Sequence, residues 1–292
     1  MKYQRCKLIP VLLASVFIVS CASTTKAPET EKIPETTIKP VMAEVPPEPK
    51  FIEIRTWKIQ GIESSYPDGM LTGIVNFQYD NTGLLLSEET LDANKLPVSK
   101  IQYVRKPDST TEKSSFNNTG ELIGKEIQKT SGNLIVLETQ LNTKDEVQST
   151  VEYTYDAKDR RESRTVKTTA GNQVKTVYIW KDNLLASIAV QDASGVTIKR
   201  FDRTYDSGKF LIREDEFDQT STLTGKTLYT YKNGFLAQEN RQNATGGNLA
   251  IIKYVNDAEG NPVEVTWCDR LGNATEINRQ TWRLFTKTVQ QQ

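Results

Sequence analysis

Tyr229-Thr230-Tyr231-Lys232-Asn233-Gly234-Phe235-Leu236 reads as the end of one strand, a tight turn and the start of the next. Alternate residues of a pleated strand share a face, so the rings of Tyr229 and Tyr231 lie on one side. Asn-Gly supplies two residues that accept positive φ, as a type I′ hairpin turn requires. The same corner recurs at Phe77-Gln78-Tyr79-Asp80-Asn81-Thr82-Gly83, Tyr153-Thr154-Tyr155-Asp156, Tyr178-Ile179-Trp180-Lys181-Asp182-Asn183 and Arg203-Thr204-Tyr205-Asp206-Ser207-Gly208. Tyr155, Trp180, Tyr205 and Tyr231 fall 25, 25 and 26 residues apart. Further turn signals, among them Gly171-Asn172, Ser194-Gly195 and Gly246-Gly247, halve that interval, so each period is two strands and two turns.

This spacing leaves roughly eight residues per strand and no room for crossover helices, so the connections are hairpins and the fold class is all-β. The array runs from Trp57 to Trp282 as a long antiparallel meander of repeated hairpins. Its faces divide poorly: Val177 and Ile179 fall on one side of their strand, Tyr178 and Trp180 on the other. A sandwich or packed barrel favours cleaner alternation, so the expectation is an extended or partly curled single sheet, with a barrel or half-barrel as the alternative. An open sheet has two edges, and Lys58 and Arg283 are the charges placed to protect them.

The corners Tyr79-Asp80-Asn81-Thr82-Gly83-Leu84-Leu85, Tyr155-Asp156-Ala157-Lys158-Asp159-Arg160 and Tyr205-Asp206-Ser207-Gly208-Lys209-Phe210 resemble the tyrosine-aspartate repeats of bacterial cell-surface and toxin-encapsulating proteins. Trp180-Lys181 and Tyr231-Lys232 depart from that pattern by lacking the aspartate. The resemblance implies a β-hairpin array on an exported protein and transfers no catalytic residue. A generic meander reaching the same corners by turn chemistry alone is the alternative.

The first residues carry an address. Lys2, Arg5 and Lys7 form a basic n-region, and Leu8–Val19 is apolar but short for a bilayer span. Ile18-Val19-Ser20-Cys21-Ala22 resembles the lipobox of bacterial lipoproteins. That resemblance implies cleavage before Cys21 and acylation of Cys21, with an ordinary cleaved signal or plain anchor as the alternative. Residues 1–20 are then a signal peptide, and 21–50 are the lipidated cysteine and a tether holding six of the chain's 11 prolines and no aromatic residue. Such a segment cannot bury enough to fold, and extended it spans up to roughly 90 Å. The repeat domain occupies 51–292, starting at Phe51-Ile52-Glu53-Ile54. Ala22 lacks the acidic residue that retains lipoproteins at the inner membrane of some two-membrane bacteria, so the outer membrane is the preferred address within the cell envelope.

Lys+Arg and Asp+Glu each number 37, so no net field recommends a nucleic acid, and there is no histidine. That absence removes the commonest general base, the usual zinc ligand and the Ser/His and Cys/His nucleophile pairs. Cys268 is the last cysteine left once Cys6 departs with the signal and Cys21 takes lipid, and it reads as an unpaired strand residue. Carboxylates cluster at Asp156 with Asp159, at Glu214-Asp215-Glu216 and at Asp257 with Glu259. Turn capping explains those at corners better than glycosidase chemistry does, and no corner shows a calcium loop. The expectation is no catalytic residue, no metal and no cofactor.

The remaining candidate is an aromatic ladder of Tyr79, Tyr103, Phe116, Tyr155, Trp180, Tyr205, Tyr231 and Tyr254, taken to recur near equivalent phases. Such rings either hold a thin sheet together across its strands or stack a sugar, lipid or peptide on an accessible face. Tyr155, Trp180, Tyr205 and Tyr231 are the candidate contacts. The reading is a non-enzymatic envelope lipoprotein, bound to membrane through Cys21, whose sheet is a structural or partner-binding surface for an envelope protein or glycan. The alternative is a ligand carrier or carbohydrate binder with a concave aromatic face.

Overall fold

The computed structural model describes residues 51–290. The signal peptide, Cys21 and the tether lie outside the described residues. Among the described residues every regular element is a strand: β1 (Phe51–Ser65), β2 (Leu71–Tyr79), β3 (Leu85–Asp92), β4 (Pro97–Arg105), β5 (Thr110–Asn117), β6 (Leu122–Ser131), β7 (Leu134–Leu141), β8 (Val147–Tyr155), β9 (Arg161–Thr168), β10 (Gln173–Lys181), β11 (Leu184–Gln191), β12 (Thr197–Tyr205), β13 (Leu211–Asp218), β14 (Leu223–Lys232), β15 (Phe235–Asn243), β16 (Asn248–Asn256), β17 (Pro262–Cys268) and β18 (Ala274–Gln290). Each pairs antiparallel with the strand before and after it, as the hairpin reading predicts.

The sheet does not stay open. β1 pairs with β18 from Phe51 opposite Gln290 to Ser65 opposite Ile277, which closes an 18-stranded up-and-down barrel. The alternative architecture therefore holds and the open sheet is corrected. Regular apolar alternation marks barrels whose interior is packed with side chains, whereas a barrel this wide admits water and its inner face need not be apolar. Strands about 4.8 Å apart and tilted by about 40° close, at this number, on a round section roughly 36 Å across between backbones. Among the described residues strands touch only their ladder neighbours, never across the lumen. Burial is correspondingly shallow: the buried apolar residues are Val151, Ala189, Ile252, Val265, Cys268 and Phe285. Lys58 and Arg283 guard no edge, because closure sets them directly opposite one another.

The turns correct the reading of the corner. Asn233 (φ 55°) with Gly234 (φ 82°), and Asp182 (φ 50°) with Asn183 (φ 65°), are the expected two-residue turns. The commoner connection is one residue longer. At Asp80 the backbone N–H bonds the carbonyl of Leu84 at 2.9 Å, and Gly83 takes positive φ before the strand resumes. The Asp80 carboxylate accepts the N–H groups of Thr82 (2.8 Å) and Leu84 (2.9 Å), and Asp92, Asn117, Asn142, Asp156, Asp192, Asp218, Asn243, Asp257 and Asp269 do the same. The side chain opening the turn therefore fixes it, and Lys95, Asp145, Asp159, Lys209 and Ser221 occupy the left-handed position where other turns place glycine.

Bulges lie next to most turns. Gln78 faces Ser87 and Tyr79 faces Leu85, leaving Leu86 unpaired; likewise Thr204 faces Arg213 and Tyr205 faces Leu211. Each bends its strand and raises the local twist, which suits closure of a long meander. β1 and β18 outrun their neighbours. β2 pairs with β1 only from Gly61 to Ser65, and β17 pairs with β18 only from Ala274 to Arg279. The outer parts of β1 and β18 continue as a two-stranded ribbon at the rim where the chain enters, called here the near rim. Phe285 anchors it, 5.5 Å from the Tyr79 ring between centroids and pressed against Gly83.

Candidate functional site

The aromatic ladder resolves into two rings plus an outlier. The first ring sits at the near rim, where each polar tip bonds a backbone carbonyl on the preceding strand. Tyr79 donates to Ile59 (2.8 Å), Tyr155 to Ile135 (2.7 Å), Trp180 to Arg161 (2.8 Å), Tyr205 to Leu185 (2.9 Å), Tyr231 to Leu211 (3.0 Å) and Trp282 to Pro262 (2.9 Å). Most of these acceptors lie beside a bulge, where the ladder is irregular and a carbonyl needs another donor. Arg105 bonds Leu85, Thr130 bonds Ser109 and Asn256 bonds Leu236 at the equivalent position, so the need is for a donor and not for a ring. All four candidate contacts, Tyr155, Trp180, Tyr205 and Tyr231, belong here and are partly buried.

The second ring lies about two residues nearer mid-strand. Tyr103 donates to Glu88, Tyr153 to Glu138 (2.8 Å) and Tyr254 to Glu239 (2.7 Å), each acceptor 15 residues earlier on the adjacent strand. Cross-strand registers place Phe201, Arg203, Tyr229 and Trp267 on the same face. The gaps between rings carry paired charges and amides: Lys113 with Glu126 (2.5 Å), Gln128 with Glu138 (2.7 Å), Lys199 with Glu216 (2.5 Å) and Arg203 with Glu214 (2.7 Å). Arg161 lies 4.7 Å from the Tyr153 ring and 5.9 Å from Tyr178, joining three strands. Desolvation, reinforced by the Glu138 hydrogen bond, pushes the Tyr153 phenol up to about 12. Desolvation and neighbouring glutamates drive Tyr103, Tyr229 and Tyr254 higher still.

This tyrosine face is the shielded one. Tyr103 is half-buried between exposed Gln102 and Val104, Ile252 and Tyr254 are covered while Lys253 and Val255 are exposed, and Val151 and Tyr153 alternate with exposed Glu152 and Thr154. Side chains converge on the concave side of a closed wall, so these residues line the lumen. The opposite face is charged as well, with Lys167–Glu152 (2.8 Å), Arg213–Asp215 (2.8 Å), Arg200–Asp202 (3.1 Å) and Arg279–Glu264 (3.4 Å). Phe116 lies on this outer side, opposite Lys100 and beside a shallow hollow of about 300 Å³. It is the ladder member that joins neither ring.

The remaining candidates behave as their residue types suggest. Cys268 is buried opposite Ile251 and Ala274. Asp156 bonds its own turn and Arg160, whose side chain holds its carboxyl down at about 2. Glu214, Asp215 and Glu216 pair with Arg203, Arg213 and Lys199 across or along strands. Among the described residues no His, Cys, Asp and Glu cluster could hold a metal. Sequence reasoning missed the glutamate partners, although their constant offset from tyrosines spaced by the repeat was a usable signal.

No family model matches this chain, and no curated protein does. Among solved structures it is similar to a porin-like protein from Bacteroides uniformis ATCC 8492, with 12% identity over 66% of this chain and 96% of that one and a TM-score of 0.26. A porin-like protein from Bacteroides vulgatus ATCC 8482 gives 9% identity, 77% and 98% coverage and 0.35. The TcdB2-TccC3-Cdc42 structure gives 12% identity over 70% of this chain and 14% of that one, with 0.15. At such scores none carries a functional argument.

Proposed function

We propose that this is a lipid-anchored protein of the bacterial cell envelope, not an enzyme, whose barrel is a structural or partner-binding scaffold held to the membrane through Cys21. The observation that carries the reading is the use of polar side chains: the phenols and indoles of the near rim are spent on the protein's own carbonyls, and the lumenal charges neutralise one another. The wall itself is not suited to cross a bilayer. A spanning barrel shows lipid an apolar band about 25 Å tall, and each midplane Arg or Lys costs about 2–4 kcal/mol. Here ion pairs occupy both faces at mid-strand, so the conclusion holds whichever side is turned outward. The lipid on Cys21 then supplies the membrane attachment, with the outer membrane as preferred site.

A second reading has its own support. Closure makes the aromatic face concave around a hollow, which is what a carrier of glycan, lipid or peptide needs. Melting and pull-down on cell-wall glycan or envelope extract, measured on Tyr155→Ala, Trp180→Ala, Tyr205→Ala and Tyr231→Ala, separate the two. Loss of stability supports the scaffold; unchanged melting with lost retention supports the carrier.

A further inference from the structure

We infer that the ribbon formed by the ends of β1 and β18 is a docking surface for an anionic lipid bilayer, the one that the chain before Phe51 is read as entering. The inference rests on the lipid-anchor proposal for its choice of occupant. The cross-strand register puts Ile52 with Val289, Ile54 with Lys287, Thr56 with Phe285 and Lys58 with Arg283 on one face. Ile52 and Ile54 are each 46% exposed, and Arg283 and Lys287 are exposed beside them. Arg55 projects from the other face near the tip, where Glu53 is the ribbon's single carboxylate.

Two features point to an anion as the missing partner. Lys58 and Arg283 are like charges in direct cross-strand register, an arrangement that destabilises a sheet unless something negative lies over it. Among the described residues none of Arg55, Lys58, Arg283 and Lys287 makes a salt bridge; Arg283 lies over the Phe285 ring at 4.8 Å, and the nearby Asp80 is engaged by its own turn. The remainder of the repeat domain carries more carboxylates than cations, so the ribbon is opposite in sign to the body that bears it.

The choice of a membrane over an acidic protein follows from chain connectivity. The ribbon begins at Phe51, and the sequence before it leads to Cys21. A cationic strand pair with exposed isoleucines at its tip, tethered to lipid, meets headgroups at high effective concentration. Acyl chains alone fix where the protein is held; the ribbon fixes which way it faces, turning the near rim toward the bilayer.

The test uses the unlipidated chain from Ala22 onward, which retains every described strand, in co-sedimentation with vesicles of neutral phosphatidylcholine with or without phosphatidylglycerol. The expected result is binding to the mixed vesicles alone, lost at high salt and weakened about fivefold or more for each of Lys58→Glu, Arg283→Glu and Lys287→Glu. Ile52→Ser with Ile54→Ser weakens it further, and Lys253→Glu on the outer wall leaves it unchanged. Circular dichroism on each variant separates lost binding from lost fold; where a reversal unfolds the ribbon, Lys58→Gln with Arg283→Gln replaces it. No binding to the mixed vesicles, equal binding to neutral ones, or equal weakening by Lys253→Glu overturns the inference. Because the chain lacks its lipid, each of these outcomes is independent of whether Cys21 is acylated.

Discussion

Tyr205→Phe isolates what the near-rim tyrosines do. The phenol donates to the Leu185 carbonyl at 2.9 Å, and Leu185 sits where the register of β10 and β11 slips between Ile179 and Trp180. Phenylalanine keeps the ring and removes the donor. A neutral hydrogen bond contributes about 0.5–1.5 kcal/mol net, and a carbonyl left wholly dry costs about 1–3. Tyr205 is only partly buried, so water partly replaces the hydroxyl and the expected loss is about 1 kcal/mol. For a domain of this size that lowers the melting temperature by about 2–4 °C, whereas Tyr205→Ala, which also gives up ring contacts, should cost about 2 kcal/mol or more. Differential scanning calorimetry on the folded chain reads both. The scaffold reading fails if both variants melt with the parent while retention on a glycan or partner disappears, because the hydroxyl would then be serving something outside the barrel.

Other expectations are as direct. A β-carbon at Gly260, which has φ +88°, would lie 2.3 Å from the Phe235 ring, whereas one at Gly132 meets nothing within 4 Å; Gly260→Ala should therefore cost several times the ~1 kcal/mol expected of Gly132→Ala in urea denaturation. Asp156 is depressed to about 2 chiefly by its Arg160 hydrogen bond, so its contribution is complete above the ordinary aspartate range and is lost as pH falls from about 4 toward 2; a pH series of melts should show Asp156→Asn less stable than the parent at neutral pH and level with it near pH 2. Tyr103, Tyr153, Tyr229 and Tyr254 are raised by burial, so their stabilisation is intact below pH 10 and lost above it; absorbance at 295 nm should show them ionising only with alkaline unfolding. Cys21→Ala should release the chain from membranes or leave its signal uncleaved, and normal cleavage with unchanged retention would contradict the lipid anchor.

The repeat was legible because turn chemistry is local. Asp80, Asp156 and Asp257 cap their own backbone within four residues, so strands, hairpins and antiparallel pairing follow from sequence, as does the lack of a histidine-based site. What the sequence could not convey was closure. Pairing of Phe51 with Gln290 is set by the accumulated bend and twist of every intervening bulge, and no local pattern encodes that sum. The sequence also could not divide the aromatic positions. Tyr153 and Tyr155 are two residues apart with the same alternation, yet one meets Glu138 in the lumenal belt and the other caps Ile135 at the rim. That difference arises from the bulge between Thr154 and Tyr155, a property of how two strands meet and of neither strand alone.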